Sequence, residues 1–469
     1  MLFTSLEFLL LFLPLTLAVY YCLPRRLRNV CLLFASLLFY AWGEPKFVLV
    51  MVGSIVFNYL MALLVSSFCS RPRLARGALW IAISGNLGLL LVYKYANFLT
   101  ATARELFPSC MGVVPQTSIL LPIGISFFTF QAMSYVIDVS RGTQPQRNFP
   151  DLALYIALFP QLVAGPIVRY STVCGQIGRR EHTMEKFSSG VYRFLVGFNK
   201  KMLLANFFAI TADRAFASPE PSMLMSWCGA ICYTLQIFFD FSGYSDMAIG
   251  LGRMFGFEFL ENFNYPYVSQ TVSEFWRRWH ISLGSWFRDY VYFPLGGSRV
   301  ARARLVGNLS VVWLLTGIWH GANWTFLVWG ALHGGCIVVE KLAGIPDRVR
   351  RRMVWRIPYQ VAVLLLVVLG WVLFRSESLA AAGAYFKAMA CGAKASARDV
   401  FDVMEIVVLL PVGVMCATPV FRRIADRMRS AFGSYAVASA AWAWQFALFV
   451  VSVSCLVVNA HNPFIYFNF

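Results

Sequence analysis

The chain has 469 residues, of which 59% are hydrophobic, 16% aromatic and only 13% charged. Soluble domains carry about 25% charged residues, so this composition excludes an ordinary soluble protein and predicts an integral membrane protein. The net charge of +18 is divided among short connectors between apolar segments. That arrangement argues against nucleic-acid binding, which favours one continuous basic stripe.

Eleven apolar segments follow one another along the chain and predict membrane-spanning helices, each of which needs about 20 apolar residues. The predicted spans are residues 2–23, 29–42, 47–68, 78–99, 119–138, 222–250, 305–320, 323–345, 357–375, 404–421 and 438–459. Residues 150–170 and 188–217 mix apolar and charged side chains, which predicts re-entrant or interfacial helices. The predicted fold class is therefore an all-α, multi-pass membrane protein with about eleven crossings, in a single domain over residues 1–469.

Basic residues between the spans predict the orientation of the chain. Six clusters of Arg and Lys begin near residues 25, 71, 179, 299, 348 and 422. Positive connectors stay on the cytoplasmic side of a membrane, so these clusters are expected to mark the inner face. The N-terminus and the C-terminal tail, residues 460–469, are then predicted on the outer face.

Two aspartates, Asp240 and Asp246, lie in the predicted span 222–250 together with Ser242 and Ser245. Buried carboxylates need hydrogen-bonding partners, and hydroxyl groups at this spacing can provide them. We expect the two carboxylates to order a polar cavity rather than to perform the chemistry themselves.

The longest stretch without an apolar span is residues 260–304, whose pattern predicts amphipathic helices in the inner membrane interface. Phe275, Trp279 and Ser282 share one side at helical spacing, and the tryptophans are expected to act as interfacial anchors. The alternative is a plain interfacial helix that binds anionic lipid.

His320 lies in an apolar span directly after Trp319 and between Gly317 and Gly321. An ionisable group in hydrocarbon costs about 2–4 kcal/mol on insertion scales, so a residue of this kind usually has a function. Because histidine titrates near neutrality, the expected function is proton transfer. The alternative is a histidine whose hydrogen bonds are satisfied by a neighbouring helix.

His280 is the second candidate, because it is one of only five histidines and lies in another Trp-rich segment. One imidazole could act as a general base while the other steadies it, but sequence spacing does not show whether the two meet. Of the others, we expect His333 to pack inside the protein and His182 to be solvated, whereas His461 belongs to the tail. The eleven cysteines have no metal-ligand spacing, so no metal is expected.

Four motifs, residues 162–169, 239–250, 274–297 and 316–321, lie in order along the chain. Together they resemble the motifs of the membrane-bound O-acyltransferase family, specifically its bacterial alginate O-acetyltransferase branch. The resemblance implies a multi-helix fold around a central funnel or tunnel, with the family core at residues 119–345. It also implies that the family's invariant histidine is His320 and its second functional histidine is His280.

The resemblance implies an O-acyltransferase of the bacterial inner membrane. Such an enzyme takes an acetyl group from a cytoplasmic thioester, expected to be acetyl-CoA, and passes it across the membrane to an exported polysaccharide such as alginate. It works with a secreted or membrane-anchored SGNH-type esterase-like partner and needs no bound cofactor. Arg277 and Arg278 would attract the phosphates of the donor. Further donor or substrate contacts are expected from Trp279, Asp240, Asp246, Trp319 and Asn323.

The aromatic ending, residues 464–469, resembles a C-terminal motif of relatives or of their small partner peptides. There a tyrosine hydroxyl is proposed to receive the acyl group, and Tyr466 matches that tyrosine. A phenol needs a base, which a desolvated neutral imidazole could supply. The alternative is a hydrophobic tail that plugs the outer mouth of the tunnel.

Two alternatives remain for the function. The same mechanism could serve peptidoglycan, cellulose or teichoic acid, because a partner protein contacts the final acceptor. In the other class, the protein would be a polysaccharide or proton-linked transporter without covalent chemistry, which an inverted repeat would favour.

Overall fold

The computed structural model describes residues 1–108, 114–163, 165–351, 353–458 and 464–465. Every regular element within these ranges is helical, which confirms the all-α prediction. The chain divides into two compact units, the first comprising Met1–Phe194 and Met247–Leu260, and the second Leu195–Asp246 and Glu261–Phe469. The expected single membrane domain stays a prediction.

The first unit contains the N-terminal helices, several of which begin with a proline in their first turn, where its missing N–H is not needed. The helices are α1 (Leu13–Cys22), α2 (Arg28–Gly43), α3 (Val48–Ser67), α4 (Pro72–Leu90), α5 (Ala96–Leu106), α6 (Ile125–Ser140), α7 (Phe149–Ala157), α8 (Phe159–Leu162), α9 (Tyr170–Gly178) and α10 (Met184–Asn199). Buried phenylalanine rings pack against one another in its core, among them Phe3, Phe8, Phe39 and Phe159.

The second unit contains most of the remaining helices, and the boundary between the units falls within α10 and α12. The helices are α11 (Asn206–Ala217), α12 (Met223–Met254), α13 (Val272–Arg278), α14 (Ile281–Phe287), α15 (Arg302–His320), α16 (Trp324–Leu342), α17 (Ile345–Arg351), α18 (Met353–Arg375), α19 (Leu379–Cys391), α20 (Ala397–Val407), α21 (Leu409–Cys416), α22 (Val420–Phe432) and α23 (Ser434–Val458). A π-helical segment, Lys200–Ala205, joins α10 to α11 without a break.

Six helices in the described ranges are long and apolar enough to cross a membrane, so the chain is a multi-pass membrane protein. They are Val48–Ser67, Pro72–Leu106, Met223–Met254, Trp324–Leu342, Met353–Arg375 and Ser434–Val458. The predicted number of eleven crossings is not confirmed.

One predicted span is wrong as a continuous helix, because residues 404–421 are divided among α20, α21 and the start of α22, and the first break falls between α20 and α21. The reason lies in Pro411. A proline ring conflicts with the carbonyl group four residues earlier, and here that residue is Val407, where α20 ends. Hydropathy alone predicted one helix, because the residues on both sides of the break are apolar.

The helices α15 and α16 form a tight hairpin joined by three residues, 321–323. Glycines allow this approach. A Cβ atom on Gly317 would collide with the main-chain oxygen of Phe326, and one on Gly330 would lie 2.5 Å from the oxygen of Trp313. The absence of a side chain at Gly317 and Gly330 therefore permits the close approach of the two helices.

Replacing Gly317 with Ala should force the hairpin apart and lower the free energy of unfolding by about 1–3 kcal/mol, as overpacking of a tight contact does. The matched control is Gly335→Ala on α16, where an added Cβ atom meets nothing within 4 Å. Alanine is the better helix former there, so that variant should be neutral or slightly more stable. Thermal unfolding in detergent measures both. Equal losses of stability in Gly317→Ala and Gly335→Ala would contradict the explanation by close helix packing.

Candidate active site

His320 is the last residue of α15, and its imidazole is buried among aromatic rings. The ring centroid lies 5.0 Å from that of Trp319, 5.1 Å from Trp329 and 5.3 Å from Phe374, each in an edge-to-face arrangement. Polar interactions are stronger in such a low-dielectric surround than in water. The imidazole therefore lies in a low-dielectric environment, and its role in proton transfer stays a prediction.

His280 is buried between α13 and α14 in a left-handed backbone conformation, with φ 46° and ψ 53°. A residue other than glycine rarely adopts this conformation, and backbone strain of this kind concentrates at functional sites. The imidazole Nδ1 lies 3.1 Å from Oδ1 of Asn262. The strained backbone thus directs the side chain toward a specific polar partner.

Asn262 determines which nitrogen of His280 carries the proton. Its Nδ2 group donates to the Ser245 hydroxyl at 3.0 Å, and its Oδ1 accepts from the Ser282 hydroxyl at 2.9 Å. Because an amide oxygen can only accept, Nδ1 of His280 must donate to it. The lone pair then lies on Nε2, which can act as a base or a hydrogen-bond acceptor.

His280 lies outside the six candidate spans, and burial lowers its pKa from 6.5 to about 3. It is therefore neutral at pH 7, as a general base must be. The unfolded chain binds this proton more readily than the folded one. The stability that His280 contributes is therefore present above pH 6.5 and is lost as the pH falls toward about 3.

The start of α13 is held by a buried carboxylate from a different helix. Oε1 of Glu340 accepts from the N–H of Val272 at 2.6 Å, and Oε2 accepts from the N–H of Ser273 at 2.8 Å. These are amides that a helix cannot satisfy internally at its N-terminus. The hydroxyl of Tyr359 donates to Oε1 of the same carboxylate at 3.1 Å. Glu340 therefore stabilises the start of α13, the helix that leads to His280.

The indole of Trp319 contacts both candidate histidines. Its ring centroid lies 5.9 Å from that of His280 and 5.0 Å from that of His320. The separation of the two imidazoles cannot exceed the sum of these distances, so the structure brings the two sequence-predicted histidines together. The Trp319 ring lies within the same cluster, and its predicted contact with the donor stays a prediction.

The prediction that the tryptophans of residues 260–304 act as interfacial anchors is wrong for two of the three, whereas Trp276 is partly exposed. Trp279 and Trp286 are buried. The ring of Trp279 stacks on Phe275 at 5.7 Å and lies 4.8 Å from Trp371 on α18. The sequence pattern could not distinguish an aromatic face toward lipid from one toward other helices, because both are apolar.

A cavity of about 250 Å³ lies beside His280 and is lined by Trp276, Arg277, Arg288 and Thr316 among others. Both arginines are exposed, but Arg288 is paired with Asp289 at 2.9 Å, so Arg277 supplies the positive charge at the mouth of the cavity. Arg278 lies differently, because it forms an ion pair with Glu274 at 2.8 Å. Of the two arginines expected to attract donor phosphates, only Arg277 lines this cavity.

Asp240 and Asp246 pair with lysines, which sequence analysis did not predict. Lys201 Nζ lies 2.5 Å from Oδ1 of Asp240, and Lys200 Nζ lies 2.7 Å from Oδ2 of Asp246. We expected nearby hydroxyl groups to be the partners of the two aspartates, and that expectation did not include these ion pairs. The lysines belong to a segment that is distant in sequence, so nothing around the aspartates indicated them.

The remaining predicted residues have different outcomes. Asn323 caps α16, accepting from the N–H of Thr325 at 3.1 Å, and its predicted substrate contact stays a prediction. His333 is buried and accepts from the indole N–H of Trp276 at 3.3 Å, as a packing role requires. His182 is not solvated, since it is partly buried and lies 2.7 Å from the Tyr20 hydroxyl. Tyr466 and His461 lie outside the described residues.

Sequence analysis missed two residues that position the site. Asn262 is a polar residue in an irregular stretch, and no pattern there signals its role. Glu340 did carry a signal, because a single carboxylate in the predicted span 323–345 is expensive unless it has buried partners. Among the described residues, no group of three or more His, Cys, Asp or Glu side chains could hold a metal ion.

The model of the MBOAT (membrane-bound O-acyltransferase) family matches residues 116–345. The chain is 47% identical over 394 residues to "Probable alginate O-acetylase AlgI" of Pseudomonas aeruginosa, covering 83% of this chain and 75% of the relative. It is 33% identical over 428 residues to "Peptidoglycan O-acetyltransferase" of Helicobacter pylori, covering 83% and 80%. A "Teichoic acid D-alanyltransferase" of Bacillus subtilis is 29% identical over 240 residues, covering 47% and 58%. With these relatives and its buried histidine pair, the chain belongs to the membrane-bound O-acyltransferase family and is an O-acyltransferase.

Proposed function

We propose that this enzyme transfers an acetyl group from cytoplasmic acetyl-CoA, across the bacterial inner membrane, for O-acetylation of an exported polysaccharide such as alginate. The observation that carries the proposal is the pair of buried imidazoles, His280 and His320, that share contact with Trp319 beside a cavity with a cationic mouth. The identity of 44–47% to five relatives named as probable alginate O-acetylases supports alginate as the acceptor.

The cavity beside His280 has the charge and lining expected of a donor site. The exposed guanidinium of Arg277 at its mouth would attract the phosphates of acetyl-CoA. Indole and leucine side chains farther along the lining would shield the thioester from water. His280 also lines this cavity.

The reaction needs a base for the acceptor hydroxyl. His320 removes the proton from that hydroxyl, whose oxygen then attacks the thioester carbonyl carbon. The carbon–sulfur bond breaks as the new ester bond forms, and the CoA thiolate takes up the proton. His280, neutral and donating through Nδ1 to Asn262, carries its lone pair on Nε2 and steadies this transfer.

The acetyl group must finally reach an acceptor outside the cell. Tyr466 is our proposed intermediate carrier, in which the phenol oxygen receives the acetyl group before onward transfer. A secreted or membrane-anchored SGNH-type partner would then move the acetyl group to the polysaccharide. This scheme requires the N-terminus and the C-terminal tail on the outer face, as the basic connectors indicate.

The experiment is to incubate the purified enzyme in nanodiscs with acetyl-labelled CoA. We expect CoA release together with labelling of the enzyme, and further transfer when the partner and mannuronate oligomers are added. Peptidoglycan fragments, cellulose oligomers and teichoic acid are offered in parallel, and transfer to one of them alone would replace alginate as the acceptor. An enzyme that neither releases CoA nor takes up label would favour the transporter alternative.

A further inference from the structure

Three consecutive polar residues lie where α10 meets the π-helical segment: Asn199 ends α10, and Lys200 and Lys201 begin the segment that joins it to α11. Segments of π-helix inside α-helices are frequent at functional sites, because the extra residue redirects side chains. Here each of the three side chains has a different partner. Asn199 bonds to Gln445 and Ser452 on α23, Lys200 pairs with Asp246, and Lys201 pairs with Asp240.

The carboxylate of Asp240 binds two different groups with its two oxygens. Oδ1 pairs with the ammonium group of Lys201 at 2.5 Å, and Oδ2 accepts from the main-chain N–H of Ile465 at 2.8 Å. Both charged side chains are nearly completely buried. A buried charge is tolerated only when it is paired and hydrogen-bonded, so the tail amide completes the coordination of this carboxylate.

The aromatic ring of Phe464 completes the contact. The ring is buried, and the Lys201 ammonium lies 4.7 Å from its centroid in a cation–π arrangement. The ring of Tyr244 meets it edge-on at 4.9 Å. One turn of α12 and one lysine therefore contact the tail at both its main chain (Ile465) and a side chain (Phe464).

We propose that Asp240, Lys201 and Tyr244 form a receptor for the chain's own C-terminal tail, which binds through Phe464 and Ile465. We call these three residues the tail receptor. A carboxylate oxygen aimed at a main-chain N–H recognises a peptide, and a cation–aromatic sandwich selects an aromatic side chain. A lipid chain offers neither group, so the occupant is the peptide tail.

The tail receptor gives Asp240 and Lys201 a positioning role, and its importance for acetyl transfer rests on the proposed function. The next residue in the sequence after Ile465 is Tyr466, the proposed carrier. The same helix, α12, packs Phe241 against the imidazole of His280, with ring centroids 4.7 Å apart. The receptor therefore ties the carrier segment to the helix that lines the histidine site.

The test compares two ion pairs that join the π-helical segment to α12: Lys201–Asp240, which is nearly completely buried, and Lys200–Asp246, whose lysine side chain is 27% exposed. Lys201→Met with Asp240→Asn removes the tail receptor and leaves no unpaired charge. Lys200→Met with Asp246→Asn is the matched control, because it removes the neighbouring lysine–aspartate pair, one residue and six residues away, in the same two helical segments. A third variant, Phe464→Ala, leaves both ion pairs intact. Carboxypeptidase digestion of the full chain in detergent, followed by intact-mass measurement, gives the rate at which Ile465 is released.

We expect Ile465 to be released about tenfold faster from Lys201→Met/Asp240→Asn and from Phe464→Ala than from the wild type, and within about twofold of wild type from the control pair. Gel filtration shows that each variant is folded. Unchanged release from both test variants would overturn the receptor. Faster release with undiminished acetyl export would support the receptor and contradict the carrier role of Tyr466. The release rate is measured without substrate, so it judges the receptor even if the wild type transfers no acetyl group.

Discussion

Replacement of His320 with Ala should lower acetyl transfer by about 10²–10⁴-fold, the contribution that a general base usually makes. The buried imidazole lies against the rings of Trp319, Trp329 and Phe374, and none of these three side chains can replace it as a base. The acetyl-CoA affinity should change little, because the expected donor contacts lie at the neighbouring cavity. Single-turnover transfer from acetyl-labelled CoA, together with donor binding measured by calorimetry, separates the two effects.

The matched control is His333, the buried histidine of α16 thirteen residues along the same hairpin. His333→Asn keeps an acceptor for the indole N–H of Trp276 near the position of Nδ1, so the variant should stay folded and active within a few-fold. If His320→Ala and His333→Asn lost the same amount of acetyl-transfer activity, both losses would be explained by disturbed packing rather than by loss of a base. Full activity of folded His320→Ala would remove the general base from the proposed mechanism.

Replacement of Glu340 with Ala should lower the free energy of unfolding by about 2–4 kcal/mol, because it strands the N–H groups of Val272 and Ser273 at the buried start of α13. It should also reduce acetyl transfer, since α13 leads directly to His280 in its left-handed conformation. Chemical unfolding in detergent measures the first effect, and steady-state acetyl transfer measures the second.

Two further variants should cause smaller losses of stability at the same site. Glu340→Gln keeps one acceptor oxygen and should lose less stability than Ala. Tyr359→Phe removes only the hydroxyl contact at 3.1 Å and should cost about 1 kcal/mol. The proposed anchoring of α13 predicts the order Ala, Gln, Phe from the largest loss to the smallest. An Ala variant as stable as Tyr359→Phe would contradict it.

The environment of the aromatic residues of 260–304 could not be predicted from the sequence. Their helical spacing and their charges were visible, and short helices are present at α13 and α14. Their environment was not visible, because an indole that faces lipid and one that faces other indoles have the same hydropathy. Trp279 became a core residue only through Trp371, which lies 92 positions later in the chain.

The sequence by itself determined that this protein is an all-α membrane protein of the O-acyltransferase family, with His280 and His320 as its candidate bases. Composition, helix periodicity and short motifs are local properties, and they can be read without knowing which segments meet. Only the tertiary structure decided that Asn262 orients His280, that Glu340 holds α13 and that Lys201 pairs with Asp240. Each of these interactions depends on directed bonds of about 3 Å between atoms far apart in the chain, and hydropathy carries no information about such distances.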